Sequence, residues 1–87
     1  MRTKIKEPEI YHDTMSQAID TAIEYAKNKG YVVSDESITG LWDAMSYETY
    51  QTKLYTLIKD NKPQRKCLNI SLYRMHSGRY ELTTYIN

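Results

Sequence analysis

CLNISLYRMHSGRYELTTYIN, residues 67–87, is the stretch that decides the fold, because its pattern predicts one long β-hairpin. Apolar and polar side chains alternate on both sides of a His-Ser-Gly segment, which is the period of strands with one buried face. The alternating positions that we expect to share the buried face are Leu68, Ile70 and Leu72 in the first strand and Tyr80, Leu82, Thr84 and Ile86 in the second.

The loop length sets the register of this hairpin. A two-residue turn places Leu72 opposite Thr83 and mixes the faces, whereas a three-residue loop at residues 76–78 places Leu72 opposite Leu82. Burial of one face makes a one-residue slip costly, so we predict the three-residue loop, with Gly78 at positive φ and a bulge after it. The other predicted partners are Ile70 with Thr84, Leu68 with Ile86, Tyr73 with Glu81, and Met75 with Arg79.

Upstream of the hairpin, one helix is clearly indicated. Apolar residues follow helical spacing through residues 14–29, Thr14 and Gln17 resemble a capping box, and Gly30 stands where a helix ends. The other predicted segments, in chain order, are a polar arm at 1–11, a short strand at 31–33, a helical turn or irregular loop at 34–45, a strand at 47–59 and a turn at 60–63.

These segments predict an α+β fold, in which an N-terminal helix packs on a strongly bent antiparallel sheet of about four strands. The strand at 47–59 is expected to carry Tyr50, Thr52, Leu54, Thr56 and Ile58 on one side. At 87 residues the chain is long enough for one small domain, residues 1–87. Whether the sheet closes into a small SH3-like barrel is left open by the pattern.

Composition excludes several classes of protein. The net charge of +1 is too small to indicate a polyanionic partner by itself. The single cysteine, Cys67, excludes an internal disulfide and multi-cysteine zinc sites, and it is typical of a reducing cytosol. No stretch is apolar for long enough to span a membrane, and residues 1–6 lack the apolar run of a signal peptide. We therefore expect a cytoplasmic protein without a membrane segment.

No residue pattern indicates catalysis, a metal or a cofactor. Cys67 and His76 are separated by about 30 Å of strand at ~3.3 Å per residue, so they do not form a nucleophile–base pair within one chain. The His12-Asp13 pair has no further ligands at an intelligible spacing. Three isolated glycines form no phosphate-binding loop. The sequence therefore predicts a protein that is not an enzyme.

Two surfaces are candidates for binding. Basic residues beside tyrosines suggest a contact with single-stranded nucleic acid, with solvated turns as the competing interpretation. This set is Lys62, Arg65, Lys66, Tyr73, Arg74 and Arg79. The nine tyrosines and one tryptophan, with no phenylalanine, suggest an aromatic interaction surface that includes Trp42, Tyr55 and Tyr80, with core packing of the same rings as the competing interpretation. Unpaired strand edges lead us to expect self-association.

Two resemblances add to these expectations. The run from Leu72 to Leu82, with the turn at residues 61–63, resembles small uncharacterised proteins of marine tailed phages, which implies a phage origin and a bacterial host cytoplasm. The layout of a helix followed by bent antiparallel strands resembles Sm-like small barrels, which implies rings and RNA binding. We therefore expect a non-enzymatic interaction module, a phage accessory protein that works through protein contacts; the alternative is an Sm-like barrel that binds RNA or single-stranded DNA.

Overall fold

The computed structural model describes residues 8–34 and 42–87, and within them one helix packs on a curled, five-stranded antiparallel sheet. The elements are β1 (Tyr11–His12), α1 (Met15–Asn28), β2 (Val32–Val33), β3 (Tyr50–Lys59), β4 (Lys62–Arg74) and β5 (Tyr80–Ile86). The α+β class is confirmed, with five strands where about four were expected. Within these residues no helix is long and apolar enough to cross a bilayer.

The hairpin of β4 and β5 forms in the predicted register. Leu72 pairs with Leu82, Ile70 with Thr84 and Leu68 with Ile86. At the loop, the Met75 N–H donates to the Arg79 carbonyl at 2.8 Å and the Gly78 N–H donates to the Met75 carbonyl at 2.9 Å. Gly78 has a φ of 93°, a conformation that suits glycine because it has no Cβ. The three-residue loop with a following bulge is therefore confirmed.

The turn between β3 and β4 is shorter than predicted. Asp60 and Asn61 both adopt left-handed backbone, with φ of 54° and 63°, and Lys59 pairs with Lys62. Two left-handed residues complete a turn whose twist matches the strands, so Lys62 already belongs to β4.

A bulge interrupts the same hairpin a few residues further on. Thr56 pairs with Cys67 and Ile58 pairs with Pro63, so residues 64–66 of β4 stand opposite Leu57 alone. A bulge bends its strand and increases the local twist, which favours the curl of the sheet around the helix.

Helix α1 begins and ends as its sequence predicts. The Thr14 side chain accepts a hydrogen bond from the Gln17 N–H at 3.1 Å. At the other end Gly30 has a φ of 91°, and the Tyr31 N–H donates to the Ala26 carbonyl at 3.1 Å, which satisfies a terminal carbonyl. The buried stripe consists of the alanines Ala18, Ala22 and Ala26, so the helix backbone lies close to the sheet.

The strand that the sequence did not predict is β1. Residues 1–11 were expected to be an arm, and residues 1–7 of it lie outside the described part. Tyr11, however, pairs with Glu81 and His12 with Tyr80, which makes β1 an edge of the sheet. Two residues are too few for an alternating pattern, and their pairing comes from a distant part of the chain. The strand order is β1-β5-β4-β3-β2, so β1 and β2 are opposite edges and the described sheet is a half-barrel.

Candidate interaction surface

The sheet has two chemically different faces. The inner face packs on α1 and carries the core side chains, among them Leu57, Leu68, Ile70 and Leu72. The outer face lies opposite the helix. It consists of the paired residues that alternate along each strand with the core residues. Its three rows across the sheet are Tyr11, Glu81, Tyr73 and Tyr50; then Thr83, Ser71 and Thr52; then Tyr85, Asn69 and Leu54.

The first row of the outer face is aromatic. The rings of Tyr50 and Tyr73 lie with their centroids 4.5 Å apart and their planes tilted by 31°. The Tyr50 side chain is 76% exposed, so this ring pair is accessible from solvent. Tyr11 lies at the other end of the row and is also exposed. Tyrosine rings in this position offer apolar contact area together with a polar hydroxyl.

The other two rows are uncharged. The Thr52 and Ser71 hydroxyls are 2.8 Å apart and hydrogen-bonded across the strands. Leu54 is 55% exposed, and Tyr85 is exposed in the same row. Glu81 is the one charged residue in the three rows, so the outer face combines exposed apolar groups with neutral hydroxyls.

The three aromatics predicted to form an interaction surface lie elsewhere, at the core. Tyr55 is 1% exposed and Tyr80 is 9% exposed, and both project from the inner face. Trp42 is half-buried against the core, and its Nε1–H donates to the Tyr55 hydroxyl at 2.7 Å. Tyr55 is buried because side chains alternate between the two faces along β3. Tyr50 and Leu54 project from the exposed face and Tyr55 from the buried one, so the same strand buries one tyrosine and exposes another. Of the predicted segment 34–45, residues 35–41 lie outside the described part.

The predicted basic set does not come together as one patch. Lys62 lies beside the turn at one end of β4, and Arg74 ends this 13-residue strand at the other. Arg65 and Lys66 stand in the bulge and are exposed. Tyr73 belongs to the outer face, whereas Arg74 belongs to the inner face because it pairs with Tyr80.

The two arginines near the hairpin loop already have partners. The Arg74 guanidinium lies 4.5 Å from the ring centroid of Tyr47 and 5.5 Å from that of Tyr80. Its Nη1 donates to the Met45 carbonyl at 2.6 Å. Arg79 donates from Nε to an Asp13 carboxylate oxygen at 3.1 Å, an exposed ion pair. These contacts hold the loop segments in place.

The polar residues considered for chemistry remain apart. Cys67 is a free thiol in the middle of the sheet, and His76 is exposed in the loop near Glu48. His12 is buried, and its Nε2 lies 2.9 Å from the Glu9 carbonyl. Within residues 8–34 and 42–87, no three histidine, cysteine, aspartate or glutamate side chains cluster in a way that holds a metal.

Alongside α1 there is an open groove of about 400 Å³, on the side of the helix that faces away from the sheet. Its lining includes Glu9, Asp20 and Glu24, together with Tyr25. The carboxylates make this groove unsuitable for a phosphate backbone.

A comparison with protein families, curated proteins and solved structures found no match to this chain. The resemblances to marine phage proteins and to Sm-like barrels therefore stay predictions.

Proposed function

We propose that the protein is a non-enzymatic interaction module that binds another protein surface through its outer face. The observation that carries this proposal is the exposure of Tyr50, Leu54 and Tyr85 on a sheet face whose three rows contain a single charge, at Glu81. Exposed apolar side chains grouped on one face indicate a contact surface, and tyrosines are enriched in such surfaces. A cytoplasmic site of action fits the free thiol of Cys67.

The charge distribution favours a protein over a nucleic acid as the partner. Binding to nucleic acid gains most of its free energy from phosphate contacts made by lysine and arginine. The outer face has no such residue in its three rows, and the basic residues Lys62 and Arg74 stand at opposite ends of β4. A neutral face is compatible with a protein surface, which brings no dense charge to the contact.

A photo-crosslinking amino acid placed on each side of the molecule tests this proposal. Position 85 is exposed on the outer face, and position 27 is exposed on the helix. We expect Tyr85 replaced by the crosslinker to yield protein adducts in cells that express the chain, while Lys27 replaced in the same way yields few. Equal yields at both positions, or adducts that a nuclease removes, would contradict a protein-binding outer face.

One observation supports nucleic acid as a second candidate partner. The stacked rings of Tyr50 and Tyr73 are accessible, and successive bases of a single strand stack on such rings. The Arg79 guanidinium lies 5.9 Å from the ring centroid of Tyr11, which adds a cation at one end of the aromatic row.

Binding of labelled single-stranded RNA and DNA at about 50 mM and 200 mM salt tests this second candidate, because each phosphate contact steepens the salt dependence. If bases stack on the outer face, Tyr50→Ala and Tyr73→Ala weaken binding, while Arg65→Ala with Lys66→Ala reduces its salt slope. Absence of binding at the lower salt concentration leaves the protein contact as the function.

A further inference from the structure

We propose that the edge of β3 from Tyr50 to Leu54 pairs antiparallel with the same edge of a second copy of this chain, centred on Thr52. This inference goes beyond the proposed function, because it concerns the edge of β3 beside the outer face and names a second copy of the chain as the partner at that edge. It identifies a two-fold contact in which backbone hydrogen bonds join two five-stranded sheets into one.

The backbone of β3 presents unpaired groups along this stretch. The Arg74 N–H donates to the Thr49 carbonyl at 2.9 Å, so the odd-numbered residues of β3 bond to β4 and the even-numbered ones face the opposite edge. The Ser34 N–H meets the Thr56 carbonyl at 2.9 Å on that opposite edge, in agreement with this alternation. Among the described residues, nothing pairs with the outward groups of Tyr50, Thr52 and Leu54.

The outward backbone groups of Tyr50, Thr52 and Leu54 are bounded at both ends, and their midpoint is Thr52. At one end the Thr56 carbonyl is already bonded to Ser34. At the other end Glu48 has a φ of 61°, which ends the extended backbone. A symmetric antiparallel contact must be centred on the midpoint to use the whole stretch, so Thr52 pairs with Thr52 of the second copy.

The charges of β3 select the same register. Centred on Thr52, the contact places Lys53 opposite Gln51 of the second copy, and no like charges face each other. Centred one residue later, it places Lys53 opposite Lys53, which is destabilising in a cross-strand pair.

The side chains of the outer face fit this pairing. Tyr50 comes to lie opposite Leu54 of the second copy, an aromatic–aliphatic pair of the kind that stabilises antiparallel strands. Because Tyr50 and Leu54 are exposed in the single chain, the contact covers apolar groups that otherwise face water. The hydroxyl row of Thr83, Ser71 and Thr52 continues across the contact into the same row of the second copy.

The other open edge, on β5, is less suitable. β1 already bonds to its first part, where the Leu82 N–H donates to the Ile10 carbonyl at 2.7 Å. The outward residues that remain, Thr84 and Ile86, carry their side chains on the inner face beside the helix. A contact between β3 and β5 of another copy is also heterologous, so it leaves an open edge on each pair of chains until a ring closes.

A cysteine at the symmetry axis tests the pairing on the full chain. Directly opposite, hydrogen-bonded residues have Cα atoms about 5.5 Å apart, which is within the range that a disulfide spans. In a Cys67→Ser background, Thr52→Cys is compared with Thr83→Cys, an exposed position on the same face whose backbone is bonded to β4. Because paired thiols have an effective concentration in the mM range, we expect about tenfold or more disulfide dimer from Thr52→Cys at μM protein. Equal yields would overturn the proposal.

Proline at the same position gives an independent measurement. Among the described residues the Thr52 N–H has no partner, so Thr52→Pro removes no backbone hydrogen bond, and proline is tolerated in edge strands. Proline does remove the hydrogen bond between the Thr52 and Ser71 hydroxyls, and valine at the same position removes it too. We expect Thr52→Pro to be monomeric by light scattering with an unchanged circular dichroism spectrum, whereas Thr52→Val, which keeps the N–H, stays dimeric. A folded Thr52→Pro dimer would overturn the proposal, and if this variant does not fold, the disulfide comparison decides.

The outcomes separate this inference from the proposed function. Equal disulfide yields together with selective protein adducts at position 85 refute the edge pairing and leave the outer face as a binding surface for a different protein. Equal adducts at positions 85 and 27, with a selective disulfide at position 52, support the edge contact and refute the broader function.

Discussion

The hydrogen bond from Trp42 to Tyr55 gives the sharpest test of how residues 42–46 are held on the sheet. The Tyr55 hydroxyl accepts from the indole at 2.7 Å, and the tyrosine side chain is almost fully buried. Tyr55→Phe removes one oxygen, creates no large cavity and leaves the half-buried indole N–H without its acceptor. We expect unfolding free energy to fall by about 1–2 kcal/mol, the sum of a lost bond and a partly desolvated donor.

A double-mutant cycle isolates this bond from the packing of the rings. Trp42→Phe also loses apolar contact, so its own effect is larger, but the double variant removes donor and acceptor together. We expect the sum of the losses in unfolding free energy of the two single variants to exceed the loss of the double variant by about 1 kcal/mol. Tyr80→Phe is the matched control, because it makes the same change at a core tyrosine for which the described residues show no hydroxyl partner; we expect it to stay within about 0.5 kcal/mol of the parent.

Urea unfolding followed by circular dichroism measures the parent and all four variants, since the signal does not depend on the tryptophan that is replaced. In thermal unfolding, 1 kcal/mol corresponds to about 4–8 °C for a domain of this size. Additive single losses, or a Tyr55→Phe protein as stable as Tyr80→Phe, would refute the reasoning that this bond holds the segment.

Three further predictions concern the backbone and the helix, each measured by urea unfolding. Gly78→Ala should lower the free energy of unfolding by about 1–2 kcal/mol because of the φ of 93° alone, since the added Cβ lies at an ordinary 3.5 Å from Tyr47. Gly30→Ala, with a φ of 91° and open space around the added Cβ, should lower it by a similar amount. A much larger loss of stability at Gly78 would indicate crowding. Thr14→Ala should lower the free energy of unfolding by about 1 kcal/mol, and Thr14→Ser should keep the stability of the parent. Equal stabilities of the alanine and serine variants would show that the N-cap does not stabilise the helix. Ala22→Leu should cost about 1–3 kcal/mol because the helix has no room over the sheet, and a neutral result would indicate a looser contact than the structure has.

The hairpin of β4 and β5 was predictable to the residue because two independent signals agreed. The alternation of apolar and polar residues indicated which side chains share a face of each strand. Only a three-residue loop ending at Gly78 placed Leu72 opposite Leu82. The same register places Arg74 opposite Tyr80, so the inward position of this arginine was already implied by the sequence and conflicted with its place in a surface patch.

The aromatic surface was harder to predict because tyrosine serves both faces of this sheet. In β3, Tyr50 and Leu54 alternate with Tyr55 and Leu57, so each side of the strand carries apolar groups and the pattern does not identify the buried one. Burial is decided by the helix and by residues 42–46, which pack on the Tyr55 side. Likewise, β1 follows from a pairing with β5 that is distant in sequence and has no local signal.

The bulge in β4 also bears on how the chain tolerates change in length. Opposite Leu57, β4 contains two more residues than a regular ladder requires. Because two is an even number, side chains on either side of the bulge keep the same alternation between the inner and outer faces. Arg65 and Lys66 therefore lie outside the repeating pattern and are exposed. A further pair of residues inserted there leaves every downstream side chain on its own face, whereas a single inserted residue exchanges the faces of β4 up to the hairpin loop. Position 65 is thus a natural place to attach a label to an exposed side chain.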